Sequence, residues 1–587
     1  MTIHTITQRI IDRSKTSRTC YLSRIAEAMQ EPPRKAMSCS NLAHTVASCS
    51  QHEKTAFLEK QTKNIAIVTA YNDMLSAHAP YYRYPEMIKA HLLKEGMMAQ
   101  VAGGVPAMCD GVTQGEAGMD LSLFSRDTIA GATAIALSHN VFDGAVLLGI
   151  CDKIVPGLFM GLMSFGHLPA IFLPSGPMRS GISNDEKARI RQEYAKGALS
   201  KEALLQAETA SYSAQGTCTF YGTANTNQML LEAMGLQLSG SAFVPALSQQ
   251  RDTLNQQAIQ TLAHNVRSLR PVGLMIDEKS FTNAMVMLLA TGGSTNHTIH
   301  LLAMARSCGI VLDWQDLADL SKITPLLARI YPNGSADVNH FHDAGGTRFI
   351  INELLNAGLM HPDVQTVMGE GLESFTCNTP SHDTSILQTS KNAFASQGGL
   401  ILLEGNLGRA VMKTSSLKTP KRYFKLPAKV FHTQAELRQR FTKGELNTDF
   451  IAVLPFQGPR AIGMPELHAL SPILGLLQDQ GHSIALITDG RMSGASGKFP
   501  AAIHTSPEAE DEGLLGYVQE GDFIELDLLQ GTMHLDVTAE CLAERSLHRP
   551  YYPRYGSGRE LFASFRQHVS SAQTGASQFY LPGEEPC

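Results

Sequence analysis

No run of this 587-residue chain approaches the roughly eighteen uninterrupted apolar residues that a membrane helix needs, so no spanning helix is expected. The start, from Met1 to Asp12, has no long apolar core and no cleavage pattern after it. No secretory leader is therefore expected, and the cytoplasm is the expected location. A strong charge of either sign is also missing: 48 Lys and Arg stand against 54 Asp and Glu, a net charge of -6. That balance excludes the basic field of a general nucleic-acid binder but leaves room for a local basic pocket. Among the ten cysteines there is no CxxC pair of the zinc-ribbon kind and no compact ferredoxin-like run. Disulfides are not expected in a reducing cytosol. Any metal site must then be assembled by the fold from cysteines far apart in the chain. Internal repeats and low-complexity tracts are absent too, which excludes a solenoid.

The 43% hydrophobic and 17% charged content is that of an ordinary globular protein, and the length exceeds what one core usually organises. Two domains are expected. The N-terminal part alternates short apolar runs with helical patterns, which points to βαβ units and a parallel sheet. Residues 64–70, 145–150 and 169–173 read as buried strands, each ending in a polar turn, and a helix is expected after Pro156-Gly157. In parallel sheets ligands bind at the carboxyl ends of the strands, where these turns lie. A polar, turn-rich stretch from Cys377 to about Gln397 marks the expected boundary. Beyond it, runs at 450–454, 484–488 and 523–528 are short and separated by glycine-rich turns, which favours a barrel-like domain. The expected fold is thus α/β: a parallel-sheet domain over 1–380 and a smaller β-barrel-like domain over 396–587.

Four segments concentrate polar residues and glycine beyond what plain loops need. They are Gly103 to Glu116, holding Cys109-Asp110; Cys151-Asp152-Lys153-Ile-Val-Pro156-Gly157; Gly216-Thr-Cys218-Thr-Phe-Tyr-Gly222-Thr-Ala-Asn225-Thr-Asn227; and Thr488-Asp489-Gly490-Arg491-Met492-Ser493-Gly494. Each has an ordinary reading: a small buried thiol, a solvated Asp–Lys pair, a serine cap. Together with Gly292-Gly293-Ser294-Thr295-Asn296 they occur in the order and spacing of a known family. The chain resembles the dihydroxy-acid and phosphogluconate dehydratases over roughly residues 64 to 520. Its variant segments, such as Asn72 to Pro80 and Ile330-Tyr-Pro-Asn-Gly334, look like the phosphogluconate branch.

The resemblance implies a dehydratase of sugar acids, phosphorylated in that branch, with an iron–sulfur cluster, a magnesium ion and a homodimer as partners in function. Cys151 and Cys218 fall at cluster-ligand positions. Many relatives carry another cluster cysteine where this chain has Ser76-Ala77-His78, so a 4Fe–4S cluster is the expected form. Cys109, in a glycine-rich loop beside Asp110, is the candidate third ligand; a plain buried thiol is the alternative. Asp110, Asp152 and Glu466 fall at metal-binding positions, and Lys153 where relatives carry a carbamylated, carboxylate-like lysine.

Dehydration of an aldonate removes a weakly acidic C2 proton and expels the C3 hydroxyl, which calls for a base, a hard cation and a Lewis acid. The resemblance places Ser493 as the base, and a serine needs positive neighbours, here Arg491 or Lys498, to serve. Ser294, Thr295 and Asn296, before the helical pattern from His297, have the form of an anion site for phosphate or carboxylate. With Arg491 they are the expected substrate contacts; a well-capped core helix is the alternative.

Overall fold

The computed structural model describes residues 1–30, 34, 37–58, 62–195, 198–377, 380–417, 421–493, 497–579 and 581–584. Its N-terminal part is built on four parallel strands, β1 (Asn64–Thr69), β2 (Met98–Gly104), β3 (Gly144–Leu148) and β4 (Ala170–Phe172), in the order β2-β1-β3-β4. β1 and β3 are unbroken apolar runs because helices cover both faces of the sheet, leaving no solvent side to alternate with. β2 is absent from the apolar-run reading, since it ends in Ala102-Gly103-Gly104 and is half exposed there. The order reverses between β1 and β3, so the turn after β3 flanks a topological switch point, with the turn after β2 one strand away.

Two helices hold those turns. α1 (Ser122–Leu137) connects β2 to β3, and α2 (Ile154–Met163) follows β3. Every residue of α2 is buried. The helix begins at Ile154, earlier than Pro156-Gly157 suggests, because Pro156 sits in the first turn, where no intrahelical N–H bond is lost. Gly157 and Gly161 face α1 so closely that an added Cβ would lie 2.5 Å from the Arg126 and Ala130 carbonyls respectively.

A hairpin of α3 (Asn184–Ala195) and α4 (Lys201–Ser211) leads to the Cys218 turn and then to the buried α5 (Thr223–Ala233). α6 (His297–Ser307) packs on α2. The turn-rich stretch at the expected boundary is tied back onto this part: the Arg329 amide donates to Ile386 O and the Leu326 amide to Ala395 O, both at 2.9 Å.

The C-terminal part is a closed eight-stranded barrel. Its strands are β5 (Leu400–Gly405), β6 (Gly408–Lys413), β7 (Tyr423–Val430), β8 (Phe450–Leu454), β9 (Ile484–Thr488), β10 (Ala501–Ser506), β11 (Phe523–Asp527) and β12 (Thr532–Leu535). They close in the order β8-β9-β10-β6-β5-β12-β11-β7 around Leu403, Met412, Ile451, Ile487 and Ile524. The tail returns to α1, where Arg126 donates to Gly575 O at 3.0 Å and Ala576 O at 2.6 Å. Among the described residues no helix is long and apolar enough to cross a membrane.

Candidate active site

Three cysteines from separate turns converge where the sheet order reverses. Cys109 follows β2, Cys151 follows β3 in a left-handed conformation (φ 60°), and Cys218 lies between the hairpin and α5. Cys109 and Cys151 share a thiol hydrogen bond, which holds the Cys109 thiol below its usual range against its burial; the same bond, with burial and nearby negative charge, pushes the Cys151 thiol well above its own. Burial pushes the Cys218 thiol up, and the Cys109 charge adds to this. The turns are fixed from α5. Asn225 Nδ2 donates to Cys218 O at 2.7 Å, and Asn227 Nδ2 to Cys151 O at 2.9 Å and Asp152 O at 3.1 Å. The Asn225-Thr-Asn227 part of the third segment is therefore scaffolding for two cysteine turns. His78, in the loop without a cysteine, is fully buried, and its Nε2 accepts from the Ile150 amide at 3.3 Å, bracing the Cys151 turn from behind.

Next to the thiols stand three carboxylates. One oxygen each of Asp110, Asp152 and Glu466 lies within 4.8 Å of the others. Asp110 and Asp152 each follow a cysteine of the triad, whereas Glu466 comes from the barrel part, bridged to Arg491. Two buried cations face them. Lys153 pairs with Asp110 and lies 3.5 Å from Asp152 Oδ2. Arg491 is 2.8 Å from Asp110 Oδ2 and 3.3 Å from Glu466 Oε2. Burial alone would raise Asp110, but Lys153 and Arg491 overcome it and hold this carboxyl well below its usual range. Burial and the Asp110 charge push Glu466 up to about 7, and burial raises Asp152. Ser122 at the start of α1 donates to Asp110, and Gln114 Nε2 to Glu466 Oε1 at 3.1 Å.

The structure thus gathers Cys109, Cys151, Cys218, Asp110, Asp152, Lys153, Glu466 and Arg491 into one centre. Ser493 is half-buried two residues beyond Arg491; Gly494 of the same segment lies outside the described residues. Asp489, buried, accepts the amides of Phe456, Gln457 and Ala509 and so shapes the turn that carries Arg491 and Ser493. Ser294, Thr295 and Asn296 do precede a helix, α6, but are buried in it. Ser294 Oγ shares a 2.8 Å hydrogen bond with Thr223 Oγ1, and Asn296 Nδ2 donates to that oxygen at 3.2 Å.

Sequence reasoning passes over Lys413, at the end of β6. It is fully buried, donates to Gly292 O at 2.7 Å, and lies against Gly497 just beyond Ser493. Its only sequence signal is a lysine closing an apolar strand.

The N-terminal model of the dihydroxy-acid/6-phosphogluconate dehydratases matches residues 62–375, and the C-terminal model residues 385–576. The phosphogluconate dehydratase of Pseudomonas aeruginosa is 52% identical, over 98% of this chain and 98% of its own length. That of Escherichia coli K12 is 51% identical, over 97% and 98%. That of Rhizobium meliloti is 50% identical, over 98% and 99%. With both family models matched in order around one buried centre of thiols and carboxylates, the chain belongs to the dihydroxy-acid/6-phosphogluconate dehydratase family.

Proposed function

We propose that the chain is a hydro-lyase converting 6-phospho-D-gluconate to 2-dehydro-3-deoxy-6-phospho-D-gluconate and water, as a homodimer in the cytoplasm. The supporting observation is the doubling of two turns: Cys109-Asp110 and Cys151-Asp152 each give a thiol to one group and a carboxylate to the adjoining one. Relatives about half identical over nearly their whole length carry the name phosphogluconate dehydratase. On this reading residues 1–380 form the domain of the thiols, and residues 396–587 the domain that adds Ser493 and Glu466.

The donor sets fit the two expected groups. Three clustered thiols are soft ligands that select iron–sulfur clusters, and three carboxylates are hard oxygen ligands suited to magnesium. Held by Cys109, Cys151 and Cys218, a 4Fe–4S cluster would supply a Lewis acid for the C3 hydroxyl, and magnesium among Asp110, Asp152 and Glu466 would supply positive charge at the substrate carboxylate. The Lys153 ammonium that pairs with Asp110 here would oppose that cation, so in the magnesium-bound enzyme Lys153 is a carbamate, a carboxylate-like ligand, and Arg491 remains the cation on Asp110. Ser493 takes the C2 proton. Arg491, fixed by Asp110 and Glu466, lends positive charge to the serine oxygen and to the substrate carboxylate. Lys498, five residues beyond Ser493, adds to that field. Ser294 and Asn296, bonded to Thr223 on α5, hold the α6 amino end, with Thr295 between them, against the helix that fixes the cysteine turns. The enol left by elimination gains a proton to give the 2-keto product.

The test is anaerobic purification, iron and sulfide analysis, then turnover of 6-phosphogluconate beside 2,3-dihydroxyisovalerate. Close to four irons per chain and a clear preference for 6-phosphogluconate are expected. A preference for the branched dihydroxy acid, or zinc in place of iron, would overturn the proposal.

A further inference from the structure

Lys187 and Arg191 are two cations that the centre described above leaves unused, and with Lys498 they converge on its rim. Lys187, on α3, is mostly buried, sits 3.9 Å from the Tyr212 ring centroid and lies within electrostatic reach of the Cys218 thiol. Arg191, one turn further along α3, acts electrostatically on both Tyr212 and Tyr331. From the barrel side Lys498 stands 5.1 Å over the Tyr331 ring. Tyr331 therefore lies between a cation of the hairpin and a cation of the segment that follows Ser493.

The charges do not balance. Among the described residues, Glu208 is the one carboxylate paired with the two hairpin cations, at 3.4 Å from Lys187 Nζ and 3.0 Å from an Arg191 terminal nitrogen. Three cations against one carboxylate leave two positive charges, the complement of a phosphate monoester near its dianion. Burial and the nearby Arg191 charge push the Lys187 ammonium below its usual range, a crowding that a bound anion relieves. Arg191 offers a planar fork for phosphate oxygens, and Lys187 and Lys498 offer point charges. The position suits the substrate: in an extended aldonate the phosphate is three carbon–carbon bonds and an ester oxygen from C3, and Lys187 is within electrostatic reach of Cys218.

We infer that Lys187, Arg191 and Lys498 form the phosphate subsite, between helix α3 and Lys498 of the barrel part. This rests on the reading that the substrate is a phosphorylated sugar acid. The subsite gives that preference a source: binding energy remote from the reacting carbons, which gluconate lacks.

The test uses the anaerobic holoenzyme and its Lys187→Met, Lys187→Arg and Arg191→Met variants. Calorimetric binding of inorganic phosphate is measured, together with kcat/KM for 6-phosphogluconate and for gluconate. Each methionine variant is expected to weaken phosphate binding and to lower the 6-phosphogluconate-to-gluconate ratio by about 10- to 100-fold, the scale of one charge-assisted hydrogen bond. Lys187→Arg should recover most of both. Unchanged phosphate affinity, or equal loss on both substrates, would overturn the subsite. Phosphate binding that depends on Lys187 in an enzyme inert toward 6-phosphogluconate would keep the subsite and overturn the proposed reaction instead.

Discussion

The contact between α1 and α2 links packing to chemistry closely enough for one methyl group to test it. In Gly157→Ala the new Cβ would start 2.5 Å from Arg126 O and 2.7 Å from Ile129 Cβ. Ordinary carbon contacts lie near 3.5–4.0 Å, so the helices must part by about 1 Å. Overpacking of this kind costs about 1–3 kcal/mol, while alanine in place of glycine inside a helix returns about 1 kcal/mol. The net loss of stability is then only about 0–2 kcal/mol. Turnover should suffer more. The Gly157 amide is bonded to Lys153 O at 2.9 Å, and α1 begins at Ser122, which holds Asp110. Moving the helices apart separates two members of one charged centre, and a 1 Å misplacement can cost about 100-fold in rate. Gly131→Ala is the control: it lies in α1 with no atom within 4 Å of its Cβ position, and should stabilise by about 0.5–1 kcal/mol with turnover unchanged. Thermal unfolding and kcat, measured anaerobically on holoenzyme, report both effects. If Gly157→Ala were stabilised like Gly131→Ala and turned over at the wild-type rate, the close approach would not be what positions Lys153 and Asp110.

Cys109→Ser, Cys151→Ser and Cys218→Ser should each lose iron and activity together, since hydroxyls do not replace thiolates on such clusters; full iron content in any one would remove that residue from the ligand set. Ser493→Ala should keep iron content and thermal midpoint while turnover falls by roughly two to four orders of magnitude, and near-normal turnover would end its assignment as base. Lys413 makes a pH prediction. Burial pushes its amine down to about 7, against about 10.4 for an exposed lysine, so between these values the unfolded chain binds the extra proton. Wild-type stability should therefore rise relative to Lys413→Met from about pH 7 to pH 10, by up to about 1.4 kcal/mol per unit. Thermal midpoints that move in parallel over that range would contradict it.

Much of this architecture is readable in the sequence, and the exceptions follow a pattern. Strands buried on both faces announce themselves as apolar runs, which is why β1, β3 and β4 stand where residues 64–70, 145–150 and 169–173 place them, give or take two residues. β2 escaped because its glycine end looks like the loop it runs into. The cysteines, carboxylates, Lys153 and Arg491 were each legible through family blocks, and the structure brings them together. Supporting residues were not legible in the same way. Asn225, Asn227 and His78 act by hydrogen bonds to the main chain of turns as many as 76 positions away in sequence, a relation no local pattern encodes. Lys187 and Arg191 lie on a mostly polar helix whose composition is that of any solvated surface.

The adjacency of thiol and carboxylate explains why so few turns can serve so much chemistry. Neighbouring residues in a turn point in different directions, so Cys109-Asp110 and Cys151-Asp152 can each face a soft site on one side and a hard site on the other. Economy of this kind ties the two sites mechanically. Asp110 is held by Ser122 and Arg491, and Arg491 in turn holds Glu466 from the barrel part. A change in any of these partners must therefore move a carboxylate, and through its neighbour a cysteine as well. Loss of Arg491 should accordingly be felt at both sites: Arg491→Met leaves Asp110 and Glu466 with one fewer buried counter-charge. Its expected signature is reduced iron content beside weakened magnesium dependence. A variant losing magnesium response alone, with iron intact, would show that the two sites are independent despite sharing their turns.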